Sequence, residues 1–153
     1  MPTKADQQVW YKEAMKLREA KPEHVLFLCV ANSARSQLAE GIARNLAPPT
    51  VRISSAGSSP ASVRTHAVQV MQEIGLDISE HHSTSVDEVE SPVDAVITLC
   101  AEEACPIWLE KAIRLHWPLS DPAVVQGSEE EQVDAYRAAR DELSRRLGVL
   151  FGA

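Results

Sequence analysis

Val25-Leu-Phe-Leu28 is a short uninterrupted apolar run, and such a run suits a strand buried on both faces. Directly after it the period changes: Leu38, Ile42 and Leu46 recur every four residues while Glu40 and Arg44 lie off that stripe, which predicts an amphipathic helix. Residues 29 to 36 are therefore a strand-to-helix turn. Val51-Arg-Ile-Ser54 reads as a second strand ending at Ala56-Gly57, followed by a helix face of Val63, Ala67, Val70, Met71 and Ile74 that Gly75 stops. A polar segment with Ser83 to Val89 leads through Pro92 to a third strand, Ala95-Val-Ile-Thr-Leu99. The alternating run Ile113-Arg-Leu-His-Trp117 is a fourth, and a final helix runs from about Glu129 to Leu147 with Val133, Tyr136, Leu143 and Leu147 inward. Strands alternating with helices predict an α/β fold with a parallel sheet covered on both faces. Residues 1–22 read as an added helix ended by Pro22, with Trp10, Ala14 and Leu17 on one side, leaving 23–153 as the main domain. That helix either packs on the flank of the sheet or offers a docking surface, since Trp10 and Tyr11 are costly to expose.

The turn at 29–36 carries the strongest chemical signal. Cys29-Val-Ala-Asn-Ser-Ala-Arg35-Ser36 sets a thiol and a guanidinium six positions apart between a strand and a helix. Successive backbone N–H groups of such a turn, from Val30, Ala31, Asn32, Ser33, Ala34, Arg35 and Ser36, face inward, and the helix start adds the positive end of its dipole. An anion is the natural guest. Arg35 matches two oxygens of a tetrahedral oxyanion with its planar fork, and the same field favours the thiolate form of Cys29, the species that attacks. Ser36 can donate a hydrogen bond to the sulfur, and Asn32 can tie the loop to itself through its amide. Taken alone, this segment is equally a buried cysteine with an arginine on the next helix by chance.

Two further segments add to it. The third strand ends in Cys100, and Cys105-Pro106 follows. Ligands of an open parallel sheet sit beyond the carboxyl ends of its strands, so Cys29 and Cys100 are expected on one edge. Within a regular helix residues 100 and 105 would be about 7.5 Å apart along the axis, beyond the reach of about 7 Å for a disulfide, so the segment is a loop or able to become one. Pro106 agrees, since proline suits the first turn of a new helix and disfavours a helical residue before it. The residues alone leave several roles open: buried apolar thiols, a zinc site with His116, His81 or His82, or a disulfide. Asp121, in the proline-flanked loop His116-Trp-Pro-Leu-Ser-Asp-Pro122, can serve as a general acid for a departing oxygen or as a turn cap.

Composition narrows the partners. At 153 residues and 44% apolar, one core is the default. A net charge of −7 argues against nucleic acid or an anionic membrane. No run approaches the ~18 apolar residues of a membrane span, and the first residues lack a signal peptide's apolar core, so a reducing cytoplasm is the expected compartment. None of the five histidines is spaced as a catalytic base for Cys29.

Leu28-Cys-Val-Ala-Asn-Ser-Ala-Arg-Ser-Gln-Leu-Ala-Glu-Gly41, Ile53-Ser-Ser-Ala-Gly57, Val96-Ile-Thr-Leu-Cys100 with Cys105-Pro106, and His116-Trp117 with Asp121-Pro122-Ala123 resemble the arsenate reductases built on the low-molecular-weight tyrosine phosphatase fold. The resemblance implies a three-layer architecture, a four-stranded parallel sheet flanked by helices, with the N-terminal helix as an addition. It also implies reduction of arsenate, for arsenic detoxification, by a three-cysteine relay. Cys29 attacks arsenate held by Arg35, Asp121 protonates the leaving hydroxyl, Cys100 attacks Cys29, and Cys105 then attacks Cys100. The implied partners are arsenate, with phosphate as competing anion, and thioredoxin or a related thiol donor; no cofactor is tightly bound. The alternative in the same superfamily is a tyrosine phosphatase acting through Cys29, Arg35 and Asp121. Some relatives bind potassium beside the loop; Asn32, Glu40 and Ser55 match part of that set, while the expected aspartate falls at Thr84. Two further departures are Ala31, where many relatives have glycine and a positive φ would be strained, and a shorter loop between the two relay cysteines.

Overall fold

A computed structural model describes residues 4–101 and 105–152. Four strands, β1 (His24–Cys29), β2 (Arg52–Gly57), β3 (Ala95–Cys100) and β4 (Ile113–Leu119), form one parallel sheet in the order β2-β1-β3-β4. β1 is central and buried at every position, as its unbroken apolar run requires. It connects onward to β2 on one side and hydrogen-bonds to β3 on the other. The strand order thus reverses beside the carboxyl ends of β1 and β3, where ligands of open sheets bind. The four helices are α1 (Lys4–Ala20), α2 (Arg35–Leu46), α3 (Thr65–Gln72) and α4 (Glu129–Phe151).

The helices all contribute to one core. Trp10, Ala14 and Leu17 of α1, Leu38 and Ile42 of α2, Ala67, Val70 and Met71 of α3, and Val133, Tyr136, Leu143 and Leu147 of α4 belong to a single buried cluster with Val25, Phe27, Ala95, Ile97 and Leu99. Strand alternation places Leu26, Leu28 and Val96 on the opposite face. There they pack with Val93 and Trp108, edged by Val86, Val89 and Ala112, so loops and the short 3₁₀ turn Val86–Glu88 cover that face. The face that carries the 105–112 segment is the thinner layer.

Several boundaries differ from the sequence reading. Val63 precedes α3, and Ile74, expected on its buried face, lies past the helix and is 43% exposed because Gly75 (φ 78°) turns the chain there. β4 continues through Pro118 to Leu119; a proline is tolerated because β4 is an edge strand. α4 runs on to Phe151, started by a Ser128–Glu131 capping box and ended by left-handed Gly152. No helix begins at Pro106, and the expected loop falls at 102–104 outside the described residues. α2 is less amphipathic than its stripe suggests, since every residue from Arg35 to Ala43 is buried.

α1 packs along α4 and reaches β4. Trp10 meets the Trp117 ring edge-on at 6.3 Å and lies under the Arg146 guanidinium at 5.2 Å, while Tyr11 is half exposed. On the other flank, Glu73 receives Arg137 Nη2 at 2.6 Å and Arg140 Nη1 at 2.7 Å, tying the end of α3 to α4. Hydrogen bonds from Arg137 and then Arg140 hold its carboxyl at about 2, below its ordinary 4.5. Replacing Trp10 by alanine is expected to lower unfolding free energy by about 3 kcal/mol, checked by urea denaturation. The Glu73 stabilisation is complete above its unfolded value and is lost as pH falls through the folded one. The stability gap between wild type and Glu73→Gln should therefore persist at neutral pH and shrink progressively between pH 4.5 and about 2, read by denaturation at several pH values.

Candidate functional site

β1 ends at Cys29 and α2 starts at Arg35, so residues 30–34 must turn the chain within one loop. The carbonyls of that loop are held from outside. Val30 O accepts from Ser59 N, Ala31 O from Ala61 N and Ser33 O from Arg64 N, each at 2.9 Å. Asn32 O accepts from Ser83 Oγ at 2.8 Å and Gln37 Nε2 at 3.1 Å. With successive carbonyls turned outward, the intervening N–H groups converge on the loop centre, a concavity suited to an anion. Ala34 gives α2 no side-chain cap, which leaves the first-turn N–H groups free of that competitor and adds the helix dipole.

The left-handed residue of the loop is Asn32 (φ 49°), not Ala31, so the strain foreseen at Ala31 does not arise. Asparagine tolerates that conformation better than most residues. Gly57, paired with Cys29, has a separate role: a Cβ there would stand 2.3 Å from Val30 O, so only glycine lets β2 approach the loop so closely.

The side chains expected at the site converge around this loop. Cys29 is a free, buried thiol with its sulfur 2.8 Å from Ser36 Oγ. Asn32 Nδ2 donates to Ser36 Oγ at 2.7 Å and Ser55 Oγ at 2.9 Å, while its Oδ1 accepts from Thr84 N at 2.8 Å. Arg35 is buried; its Nη1 donates to Leu119 O at 3.0 Å and Leu99 O at 3.4 Å, and its Nη2 lies 3.7 Å from Asp121 Oδ2. The ends of β3 and β4 thereby place the guanidinium, helped by a register shift between Thr98 and Cys100. Asp121 caps Ala123 N with Oδ1 at 2.9 Å, the turn-cap reading of the sequence, while its other oxygen faces Arg35 at the edge of the loop.

Cys100 and Cys105 are joined in a disulfide with Cα atoms 5.5 Å apart. Cys29 and Cys100 end neighbouring parallel strands on the same edge, where Leu28 pairs with Thr98. This set can bind a tetrahedral oxyanion, attack it with a thiolate, and hold a second pair of sulfurs nearby in an oxidised state.

The residues matched to a potassium site also come together, but they bond one another. Ser55 Oγ donates to Glu40 Oε1 at 2.6 Å, and Arg44 Nε lies 3.1 Å from Glu40 Oε2. Thr84 offers the loop its backbone N–H where a carboxylate is required. With its one carboxylate already paired to a guanidinium, this donor set does not fit a cation. Among the described residues no group of three or more His, Cys, Asp or Glu is placed to hold a metal.

Gln37 and the Gly57 contact are not apparent from the sequence, and His81 enters there only as a possible zinc ligand. Gln37 is fully buried and bridges His81, Asn32 and His82 O. Its one sequence signal is an amide on a helix whose neighbours Leu38 and Ala39 are apolar. Burial pushes the His81 imidazole below its usual range against the pull of Glu40.

This fold and loop place the chain in the low molecular weight phosphotyrosine protein phosphatase family, to which it belongs; the family model matches residues 24–153. Within that family its similarity is to arsenate reductases. The arsenate reductase of Halalkalibacterium halodurans is 40% identical over 126 residues, 80% of this chain and 91% of that one. The crystal structure of arsenate reductase from Archaeoglobus fulgidus superposes with a TM-score of 0.71 at 28% identity, covering 84% of this chain and 99% of that chain. The thioredoxin-dependent arsenate reductase of Corynebacterium glutamicum gives 0.58 at 28% identity over 90% of this chain and 69% of that chain.

Gly57→Ala tests the loop geometry. Displacing Val30 by about 1 Å should weaken inorganic phosphate binding and slow turnover by about 100-fold, measured by calorimetry and steady-state kinetics beside a thermal melt.

Proposed function

We propose that this protein reduces arsenate to arsenite with reducing equivalents passed along three cysteines. The observation that carries the reading is a free Cys29 at the start of the oxyanion loop with an oxidised Cys100–Cys105 pair at the end of the adjacent strand. The named activity of its relatives supports it.

Arsenate enters the ring of N–H groups, and the Arg35 guanidinium exchanges main-chain carbonyls for substrate oxygens. The Cys29 thiolate attacks arsenic, and the departing hydroxide takes a proton from Asp121 and leaves as water. Cys100 then attacks the Cys29 sulfur. The electron pair of the sulfur–arsenic bond stays on arsenic, which falls from As(V) to As(III) and leaves as arsenite, while two thiols become the Cys29–Cys100 disulfide. Cys105 attacks Cys100 and releases the Cys29 thiolate, moving the disulfide to Cys100–Cys105. An external dithiol protein reduces that bond. Thioredoxin is the donor we assign, in line with the thioredoxin-dependent relative.

Phosphate has the same shape and charge as arsenate and competes for the loop. It offers no comparably reducible centre, so it stays a bound competitor. A cytoplasmic setting, where thiols are kept reduced, suits the relay. No helix among the described residues is long and apolar enough to cross a membrane.

Cys100→Ser and Cys105→Ser are expected to abolish thioredoxin-driven arsenate turnover, followed as NADPH consumption with thioredoxin reductase. Hydrolysis of p-nitrophenyl phosphate in the same samples needs neither residue. Turnover unchanged in Cys105→Ser would remove Cys105 from the relay. Hydrolysis without any arsenate turnover in the wild type would make the protein a phosphatase acting through Cys29, Arg35 and Asp121.

A further inference from the structure

Among the described residues, nine of the ten arginines direct the guanidinium at a carboxylate or a main-chain carbonyl of the protein itself. The tenth, Arg64, makes no hydrogen bond or ion pair through its side chain among those residues. Its main chain is nevertheless fixed against the oxyanion loop. Arg64 N donates to Ser33 O at 2.9 Å, and Arg64 O accepts from Val68 N at 3.2 Å as α3 begins. Arg64 is extended there, with ψ 136°, and its side chain is exposed. An anchored main chain thus holds a long, uncommitted cation beside the loop that has to receive an anion.

The acidic groups around it are engaged elsewhere. At the start of α4, Glu129 Oε1 lies 2.6 Å from His66 Nε2, Glu131 closes the capping box with Ser128, and Asp134 holds Arg137 Nη1 at 2.7 Å. Asp121 faces Arg35 across 3.7 Å. Tyr136 of α4 ties these pieces together: it is buried, and its ring meets the His66 ring edge-on at 5.2 Å. Burial pushes the Tyr136 phenol up, while the Arg64 charge pulls it down and the Asp121 charge pushes it up. One phenol senses both groups, so Arg64 stands on the side of the loop where Asp121 meets Arg35.

We propose that Arg64 is the recruiting residue of the oxyanion site, a second guanidinium that draws the dianion to the loop and sets its affinity while Cys29, Arg35 and Asp121 carry the chemical step. The inference rests on the reading of the 29–36 turn as an oxyanion site. Arg35 is buried and held by the carbonyls of Leu99 and Leu119, so it meets an anion only after that anion has entered the loop. The chain as a whole carries a net charge of −7, which repels an approaching dianion. An exposed, uncompensated cation at the rim reverses that field where the loop opens. Such a charge is screened by salt, and its contribution is smaller than that of a buried partner. Recruitment needs a positive charge and no planar fork, so lysine can serve in its place.

Binding of inorganic phosphate tests this without any turnover. By calorimetry at low ionic strength, Arg64→Met is expected to weaken phosphate about fivefold, the upper range for an exposed charge pair, and Arg64→Lys to restore most of the affinity. At about 1 M NaCl, where the Debye length is about 3 Å, wild type and Arg64→Met should bind phosphate alike. In arsenate turnover, Arg64→Met should raise KM about fivefold with kcat within about twofold of wild type, the split expected of a charge that acts on binding alone. Each variant keeps the main-chain donor to Ser33 O; a thermal melt accompanies it, and Arg64→Gln repeats the test where Arg64→Met does not fold. Wild-type phosphate affinity in folded Arg64→Met at low ionic strength would overturn the proposal. So would a loss that 1 M NaCl leaves undiminished or that Arg64→Lys does not repair, since either marks a structural role. Phosphate binding that responds as expected in a protein that reduces no arsenate would overturn the proposed reaction and leave this inference standing.

Discussion

The outward anchoring of the carbonyls of residues 30–33 is the constraint on which the rest of the site depends. A loop that turned even one of these carbonyls inward would place a negative dipole in the concavity that its N–H groups line. The anchors come from two distant pieces of chain, the 59–64 segment after β2 and Ser83 in the loop before β3, and from nearby Gln37 on α2. Each is a neutral hydrogen bond of modest net value, about 1 kcal/mol. Their combined effect is directional, because they decide which way the peptide groups point before any substrate arrives.

Those anchors can exist only because of the sheet around them. β1 at its centre brings β2 to one side and β3 to the other, so the carboxyl edge collects Cys29, Gly57 and Cys100 within neighbouring strand ends. The missing side chain at Gly57 then lets the end of β2 press against the loop backbone. All four helices lie in one core cluster on one face, and the opposite face is closed by loops with Trp108 packed on Leu26, Leu28 and Val96. A covering of loops shifts more readily than a helix would, since moving it disturbs less buried surface.

The buried polar groups of the site are costly by themselves and are rendered tolerable by partnership. Arg35 is surrounded by main-chain carbonyls and Asp121, and Glu40 by Ser55 and Arg44. In each case the charge is met by groups fixed by secondary structure, so little reorganisation is required of them. The site therefore uses the fold twice, once to shape a cradle and once to neutralise what the cradle contains.

Much of this was legible in the chain itself. An unbroken apolar run followed by a four-residue stripe marks a strand, a turn and a helix through local sterics and periodicity alone, and Cys29, Arg35 and Ser36 fall in that turn. The start of α4 at Ser128 and the end of β3 at Cys100 are equally local, fixed by capping and by β-branched packing. What lay beyond the sequence is everything that depends on residues meeting across long separations. Gln37 bonding His82 O, Arg64 N reaching Ser33 O, Gly57 pressing on Val30 and Arg44 balancing Glu40 against β2 join segments that neither periodicity nor spacing connects. The sequence by itself determined the strands, the helices and which side chains are candidates for chemistry, because those follow from side-chain chemistry and backbone preference within a few residues. Only the tertiary structure decided the direction of the hydrogen bonds around Cys29, because direction depends on which distant donor or acceptor the packed sheet brings to each end.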